Sequence, residues 1–426
     1  MKKTIRFTWL IVFTLLASCV LAQTKTDSLM LIQFKQALEQ LKQGSYRDAA
    51  DAFTGLINGG FQDKEIYLHR GTAYYHLKEY QKALADFDEA GRQRIASADL
   101  FELRGNTKAF LGDFQSALPD LEKAVQMNAR RTETFVNLGN IKFRNENYRE
   151  AIVNYDKALA NGAADAMIFY NRGQARMMMK DYAAAEADFN KALELDSNNL
   201  MALESRSEVR YQLKNWQGCA DDIGKLIATG RSDTGLYQRL GSAKFELKDY
   251  RAAADALNRV LNSRGAPDKE VYRMLGISRA QLNQCAEAIR PLETAVSMGL
   301  ANKEVFTQLG LCQFNEKIYP AAIENLSRAI NAGESAPAVY LARGKAFAFQ
   351  QDAERARPDL EKAIQSGVND AEAFRMLAEI SLAKNDSQTA LNYYNQYISL
   401  SPADARAFAG RARCRADAPG WQGSPV

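Results

Sequence analysis

Residues 64–97 read KEIYLHRGTAYYHLKEYQKALADFDEAGRQRIAS, and residues 166–199 read AMIFYNRGQARMMMKDYAAAEADFNKALELDSNN. Laid over each other without a gap, both carry an aromatic at the fourth position (Tyr67, Phe169) and Arg-Gly at the seventh and eighth (Arg70-Gly71, Arg172-Gly173). Both then carry tyrosine at the seventeenth (Tyr80, Tyr182), alanine at the twentieth (Ala83, Ala185) and Asp-Phe after it (Asp86-Phe87, Asp188-Phe189). The eighth position recurs along the chain as Gly71, Gly105, Gly139, Gly173, Ser207, Gly241, Gly276, Gly310, Gly344, Ala378 and Ala412. The spacing is thirty-four residues throughout, except thirty-five between Gly241 and Gly276. A period of this length makes the chain a stack of one supersecondary unit, so fold and function are read per repeat.

Within each unit, positions 4, 8 and 11 and positions 20, 24 and 27 follow helical spacing, which predicts two antiparallel helices with a large ring opposed to a small residue. Position 4 is aromatic in ten of twelve copies, and position 20 is alanine in ten of eleven, with Cys219 completing the row. Position 17 is usually aromatic (Tyr46, Tyr80, Phe114, Tyr148, Tyr182, Trp216, Tyr250, Tyr319), placed after a polar turn such as Lys78-Glu79 or Gly112-Asp113 to anchor the second helix. Pro119, Pro291 and Pro358 fall inside second helices, where each either bends the helix or sits harmlessly in its first turn; Pro320 fits the harmless case.

These residues resemble the tetratricopeptide repeat, with its aromatic, Leu-Gly, tyrosine, Ala, Phe and Ala rows. The resemblance covers residues 30–404 as eleven copies, with a degenerate half-copy from Ala405, so that 405–426 reads as a capping helix and tail. It implies an all-α fold, a right-handed superhelical solenoid of about eleven helix pairs. It also implies a protein-interaction scaffold whose first helices line a concave groove.

Composition agrees with a folded array: 426 residues, 46% hydrophobic, 25% charged and a net charge of +4, too small to argue for a nucleic-acid partner. At the N-terminus, Lys2, Lys3 and Arg6 precede an apolar run from Phe7 to Ala17, the pattern of an export signal. Two ends are open: cleavage after Ala22, giving a signal of 1–22, or a lipobox Leu16-Ala17-Ser18-Cys19, giving a signal of 1–18 and a lipid on Cys19. Either places the protein in the periplasm or at the outer membrane, with a membrane partner only through that lipid. The exit around Leu21-Ala22-Gln23 resembles exported proteins of Bacteroidetes type. Of the other cysteines, Cys219, Cys285, Cys312 and Cys414, each suits a small buried site; a Cys285–Cys312 bridge is the alternative.

One correlation is internal to the array. Where position 7 is arginine (Arg70, Arg104, Arg172, Arg206, Arg343), position 23 is aspartate (Asp86, Asp120, Asp188, Asp222, Asp359). Where position 7 is leucine, the acid is gone, as in Leu138 with Asn154. We therefore expect structural ion pairs between the two helices of a repeat. Position 11 is basic in Lys108, Lys142, Arg176, Arg210, Lys244 and Arg279, a row read here as side chains meeting acids of adjoining copies rather than a ladder for a polyanion. Acids at position 2, such as Glu65 and Glu304, suit the helix dipole.

The resemblance further implies that positions 2, 5, 9, 12 and 13 face the groove. The candidate partner-binding residues are Tyr75, Asn106, Asn140, Tyr170, Gln174, Met177, Met178, Tyr211, Gln238, Arg273 and Lys345, with Phe245 beside them. Aromatic, methionine and amide groups of this kind suit an extended peptide. The chaperone-tail clamp of some relatives is not expected, because Glu102, Asn106, Asn137, Met167 and Asn171 keep its amides and lose its cations. A glycan or cell-wall module using Tyr75, Tyr170 and Tyr211 as sugar platforms is the runner-up, along with a membrane-tethered assembly or secretion lipoprotein. Nothing points to an enzyme, a cofactor or a metal: the two histidines, His69 and His76, lack the spacing of a ligand pair, and no nucleophile motif or phosphate loop occurs.

Overall fold

A computed structural model describes residues 27–263 and 266–416. The export signal, Cys19 and the closing residues from 417 lie outside the described residues. Those described hold twenty-three α-helices and no strand. The chain falls into two compact units, 1–209 and 210–426.

The first unit contains α1 (27–42), α2 (Tyr46–Asn58), α3 (Ile66–His76), α4 (Tyr80–Arg92), α5 (Ala98–Phe110), α6 (Phe114–Gln126), α7 (Thr132–Arg144), α8 (Tyr148–Ala160), α9 (Ala166–Met178) and α10 (Tyr182–Leu195). The division falls inside α11 (Leu200–Gln212). The second unit holds α12 (Trp216–Ala228), α13 (Thr234–Glu246), α14 (Tyr250–Leu261), α15 (Lys269–Gln281), α16 (Cys285–Ser297), α17 (Lys303–Asn315) and α18 (Tyr319–Asn331). It continues through α19 (Pro337–Phe349), α20 (Ala353–Gln365), α21 (Ala371–Ala383), α22 (Ser387–Leu400) and the unpaired α23 (Ala405–Ala416). In each unit a helix packs on the next one along the chain, and first helices also touch the first helices of the following repeat, as α5 touches α7 and α15 touches α17.

The turn between paired helices has a fixed geometry. Position 15 takes the left-handed backbone whatever its side chain: φ is 59° at Lys78, 85° at Gly112, 61° at Glu146 and 62° at Lys180. There the chain closes the first helix with a six-to-one bond, Glu79 N donating to the Tyr74 carbonyl at 2.9 Å. Several second helices then start on a side-chain cap, as where Asp113 accepts from Ser116 N at 3.1 Å and Asp181 from Ala184 N at 3.3 Å, while others, α4 and α8 among them, do without one.

The glycine row makes the close helix approach, and it does so against position 24. A Cβ added to Gly71 would lie 2.8 Å from the Phe87 ring, to Gly105 2.7 Å from Leu121, and to Gly139 2.5 Å from Tyr155. The position-4 rings do something else: many lie under a cation, Arg70 over Tyr67 at 5.7 Å and Lys157 over Phe135 at 5.7 Å. Each second helix is clamped between its own first helix and the next, as in the cluster of Ala109, Ala117, Leu121, Leu138 and Ile141. Full burial of one such leucine contributes about 1.5–3 kcal/mol. The helices α6, α16 and α20 each remain a single helix through Pro119, Pro291 and Pro358, while Pro320 sits at the second residue of α18. Among the described residues no helix is long and apolar enough to cross a membrane.

Candidate protein-interaction groove

In the first unit, α7 and α9, with Phe114 at the start of α6 and Tyr155 from α8, form an open cavity of about 430 Å³, lined by Phe114, Asn140, Phe143, Arg144, Tyr155, Tyr170, Asn171 and Gln174. Its floor is wired from position 9 of one repeat to position 6 of the next. Tyr155 Oη donates to Asn140 Oδ1 at 2.8 Å, and Asn171 Nδ2 donates to the same oxygen at 3.1 Å. Burial pushes the Tyr155 phenol well above its ordinary value, so it stays a donor. On the other wall Gln174 Nε2 donates to Tyr170 Oη at 2.7 Å, leaving Gln174 Oε1 buried with no protein partner. The Arg144 guanidinium lies over the Phe114 ring at 4.5 Å. It is the one formal charge in the lining, and no acid accompanies it.

One repeat earlier the same register is closed. Asn106 is fully buried. Its Nδ2 donates to Thr134 Oγ1 at 3.0 Å and its Oδ1 accepts from Asn137 at 2.9 Å, while Glu102 accepts from Thr134 at 2.8 Å and from Arg131 at 3.0 Å. Asn106 therefore belongs to the joint between repeats and not to the groove surface, a correction to its assignment from sequence. Tyr75 is held among His76, Tyr80 and Phe110, and burial raises its phenol. Met177 packs partly buried against the Phe189 cluster, whereas Met178 is 51% exposed.

In the second unit the named residues have partners. Tyr211 meets Trp216 edge-on at 5.3 Å and Gln238 donates to Asp268 at 3.3 Å. Arg273 bridges Glu270 and Glu304 at 2.7 and 2.9 Å, over the Phe245 ring at 5.2 Å. Lys345 is only 8% exposed and pairs with Asp370 at 2.8 Å and Glu372 at 3.1 Å, so it too leaves the set of groove contacts. A second cavity, about 480 Å³ beside Phe349, Met376 and Ile380, contains Arg375 and Glu379 already paired at 2.8 Å.

Sequence reasoning placed position 13 in the groove and missed what it packs on. Its residue covers the position-17 aromatic of the preceding repeat: His76 stacks on Tyr46 at 4.4 Å, Phe110 on Tyr80 at 4.9 Å, Arg144 over Phe114, and Phe349 on Tyr319 at 4.8 Å. Reading 13 against the previous 17, rather than each column alone, would have found it. Burial lowers the basicity of both His69 and His76, against the acids near His69 and with Arg131 near His76 acting in the same direction.

The position-7 arginines reach two ways. Arg70 donates to Asp86 at 2.7 and 2.9 Å, Arg104 to Asp120 at 2.6 and 2.8 Å, Arg172 to Asp188 (2.5–3.2 Å) and Arg343 to Asp359 at 2.6 and 2.8 Å. Each also turns to position 25 of the preceding repeat: Thr54, Asp88, Asp156 and Ser327 respectively, and Arg206 to Asn190 at 2.8 Å. The position-11 cations add to the same aspartates, from within the repeat rather than from adjoining ones: Lys108 to Asp120 at 2.7 Å, Arg176 to Asp188 at 2.7 Å and Arg210 to Asp222 at 2.9 Å. In leucine repeats the position-11 residue has no such aspartate: Lys142 bridges Glu122 of the preceding repeat and Glu150 of its own, both at 2.8 Å, Arg279 donates to Asn258 and to the Glu287 carbonyl, both at 2.9 Å, and Lys244 pairs within its repeat with Asp249 at 3.2 Å. Among the described residues no group of three or more His, Cys, Asp or Glu is placed to hold a metal.

Tetratricopeptide repeat family models match residues 34–98, 166–199, 234–266, 273–337 and 341–418. No curated protein matches the chain. Among solved structures, the C-terminal part of a TPR repeat-containing protein from Cytophaga hutchinsonii is 23% identical over 57% of this chain and 99% of that one, with a TM-score of 0.41. A tetratricopeptide repeat protein from Parabacteroides merdae is 18% identical over 67% and 98%, at 0.33. YrrB, described as a TPR protein with an unusual peptide-binding site, is 22% identical over 50% and 91%, at 0.27. At these TM-scores the likenesses carry nothing about this chain's partners. The matched residues and the helix pairs they form place the chain in the tetratricopeptide repeat family, whose repeats serve protein–protein interaction.

Proposed function

We propose that the chain holds an extended segment of a partner protein against the first-helix face of residues 132–178, acting as a non-enzymatic scaffold in a bacterial envelope. The observation that carries this is the composition of the 430 Å³ cavity: four aromatic rings, three amides, and a single guanidinium with no acid beside it. An apolar side chain of the partner fills the cavity between Phe143 and Tyr170, and a carboxylate sits opposite Arg144. The second cavity supports this less, because its Arg375 is already neutralised by Glu379. Sugar platforms draw less support still, since Tyr75 and Tyr211 have aromatic edges packed against them.

The envelope location rests on Lys2, Lys3, Arg6 and the apolar run that follows them. The mass of the mature N-terminus separates cleavage after Ala22 from a lipid on Cys19. The groove is tested by titrating purified protein with extended peptides that pair an apolar residue with an acidic one. Arg144→Glu should weaken binding at least about tenfold and favour the charge-reversed peptide. Lys384→Glu, outside the lining and on the second unit, should leave it unchanged. Equal affinities for wild type and Arg144→Glu would overturn the reading.

A further inference from the structure

Cys285 is the first residue of α16, and Cys312 lies in the last turn of α17, one repeat further on. Their Sγ atoms are 2.7 Å apart, both side chains are buried, and both belong to the cluster of Ile277, Ala288, Leu292, Val305 and Leu309. Two sulfurs that are not bonded do not rest this close; a disulfide holds them at about 2.05 Å. The other two described thiols, Cys219 and Cys414, are buried in other repeats.

We infer that Cys285 and Cys312 form a disulfide joining the repeat 269–302 to the repeat 303–336. The oxidant is the disulfide of a small-molecule or protein thiol oxidant. The Cys285 thiolate attacks one of its sulfurs and releases the first thiol; Cys312 then displaces the second, so two protons and two electrons pass to the oxidant. Cys285 is the attacking group because it is the more accessible of the two. Cys312 stays protonated until displacement, since burial and the neighbouring Cys285 push its thiol up. The bond closes a loop across a joint between repeats, so it restrains α16 against α17 beyond what their packing supplies.

The test needs no assumption about export. Full-length protein is equilibrated in buffers of graded reduced and oxidised glutathione, unfolded in guanidinium, alkylated and digested. The expected result is a linked peptide pair containing Cys285 and Cys312, about 2 Da lighter than the two thiols, with Cys219 and Cys414 alkylated. Oxidation should raise the unfolding midpoint by about 5–10 °C. That rise should vanish in Cys285→Ser and in Cys312→Ser and persist in Cys219→Ser. Alkylation of both Cys285 and Cys312 at every glutathione ratio, or their linkage to Cys219 or Cys414, overturns the proposal. Failure of the groove titration would leave this result untouched.

Discussion

The repeats 98–131 and 132–165 are neighbours built on the same backbone, and they solve the same contact in opposite ways. In the first, Arg104 and Lys108 converge on Asp120, and Arg104 also reaches back towards Asp88. In the second, Leu138 is 3% exposed in the hydrophobic seam, Asn154 turns away to donate to the Glu150 carbonyl at 2.7 Å, and Lys142 reaches back to Glu122. The apolar version needs no partner. The ionic version ties three positions together, so none of its members can be lost alone without leaving a half-buried charge exposed to its own desolvation cost.

The largest expected effect comes from forcing one repeat into the other's solution. Arg104→Leu with Lys108→Met leaves Asp120 buried without a cation and should cost about 3–5 kcal/mol in urea unfolding. Adding Asp120→Asn converts the site to the apolar type and should recover most of that loss. A triple variant no more stable than the double would mean that the aspartate is not held by these two cations.

A smaller effect separates the ionic repeats from one another. Asp86 has Arg70 but only Tyr74 at position 11, and burial lifts its carboxyl above the ordinary value although Arg70 pulls the other way. Arg70 itself is strengthened as a base by the bond to Asp86. The two partners point in different directions because the carboxylate is the more deeply buried of the pair. Asp120 feels the same push from burial, but bonds from both Arg104 and Lys108 outweigh it and hold the carboxyl below the ordinary value of 3.8. A depressed folded value gives stability that is present above 3.8 and lost as pH falls below it; a raised one gives stability present below 3.8 and lost as pH rises. Asp120→Asn should therefore cost less at pH 3 than at pH 6, and Asp86→Asn should show the reverse trend. Parallel pH profiles for the two variants would remove the second cation as the cause.

Much of this frame was legible because the rows that build it are covariant within one chain. Position 8 is glycine because position 24 fills its space, and the position-7 and position-23 columns change together. What could not be read is where a long side chain turns. Lys108 and Lys142 occupy the same column, yet Lys108 folds onto Asp120 of its own repeat, while Lys142, with Asn154 in place of that acid, bridges Glu150 of its own repeat and Glu122 of the preceding one. The groove was least legible for a related reason. Amides look alike in sequence, and only their bonds separate buried Asn106 from Asn140, which lines the open cavity. The stack of position 13 on the previous position 17 escaped because its partner belongs to another repeat, so neither column alone shows a pattern.

The smallest effect lies in the turn that both repeats share. Gly112 and Glu146 occupy position 15 with φ of 85° and 61°, a region that costs a residue with a Cβ about 1–2 kcal/mol and glycine nothing. Glycine regains part of that cost as entropy in the unfolded chain, so Glu146→Gly should stabilise by only about 0.5–1 kcal/mol. Gly112→Glu should destabilise by a similar amount, making the two repeats alike in opposite directions. Because position 15 touches neither the ionic nor the apolar contact, both changes should add to the variants above within about 0.5 kcal/mol. Non-additivity would show that the turn and the contact between paired helices are set together, in which case the two solutions differ in backbone as well as in side chains.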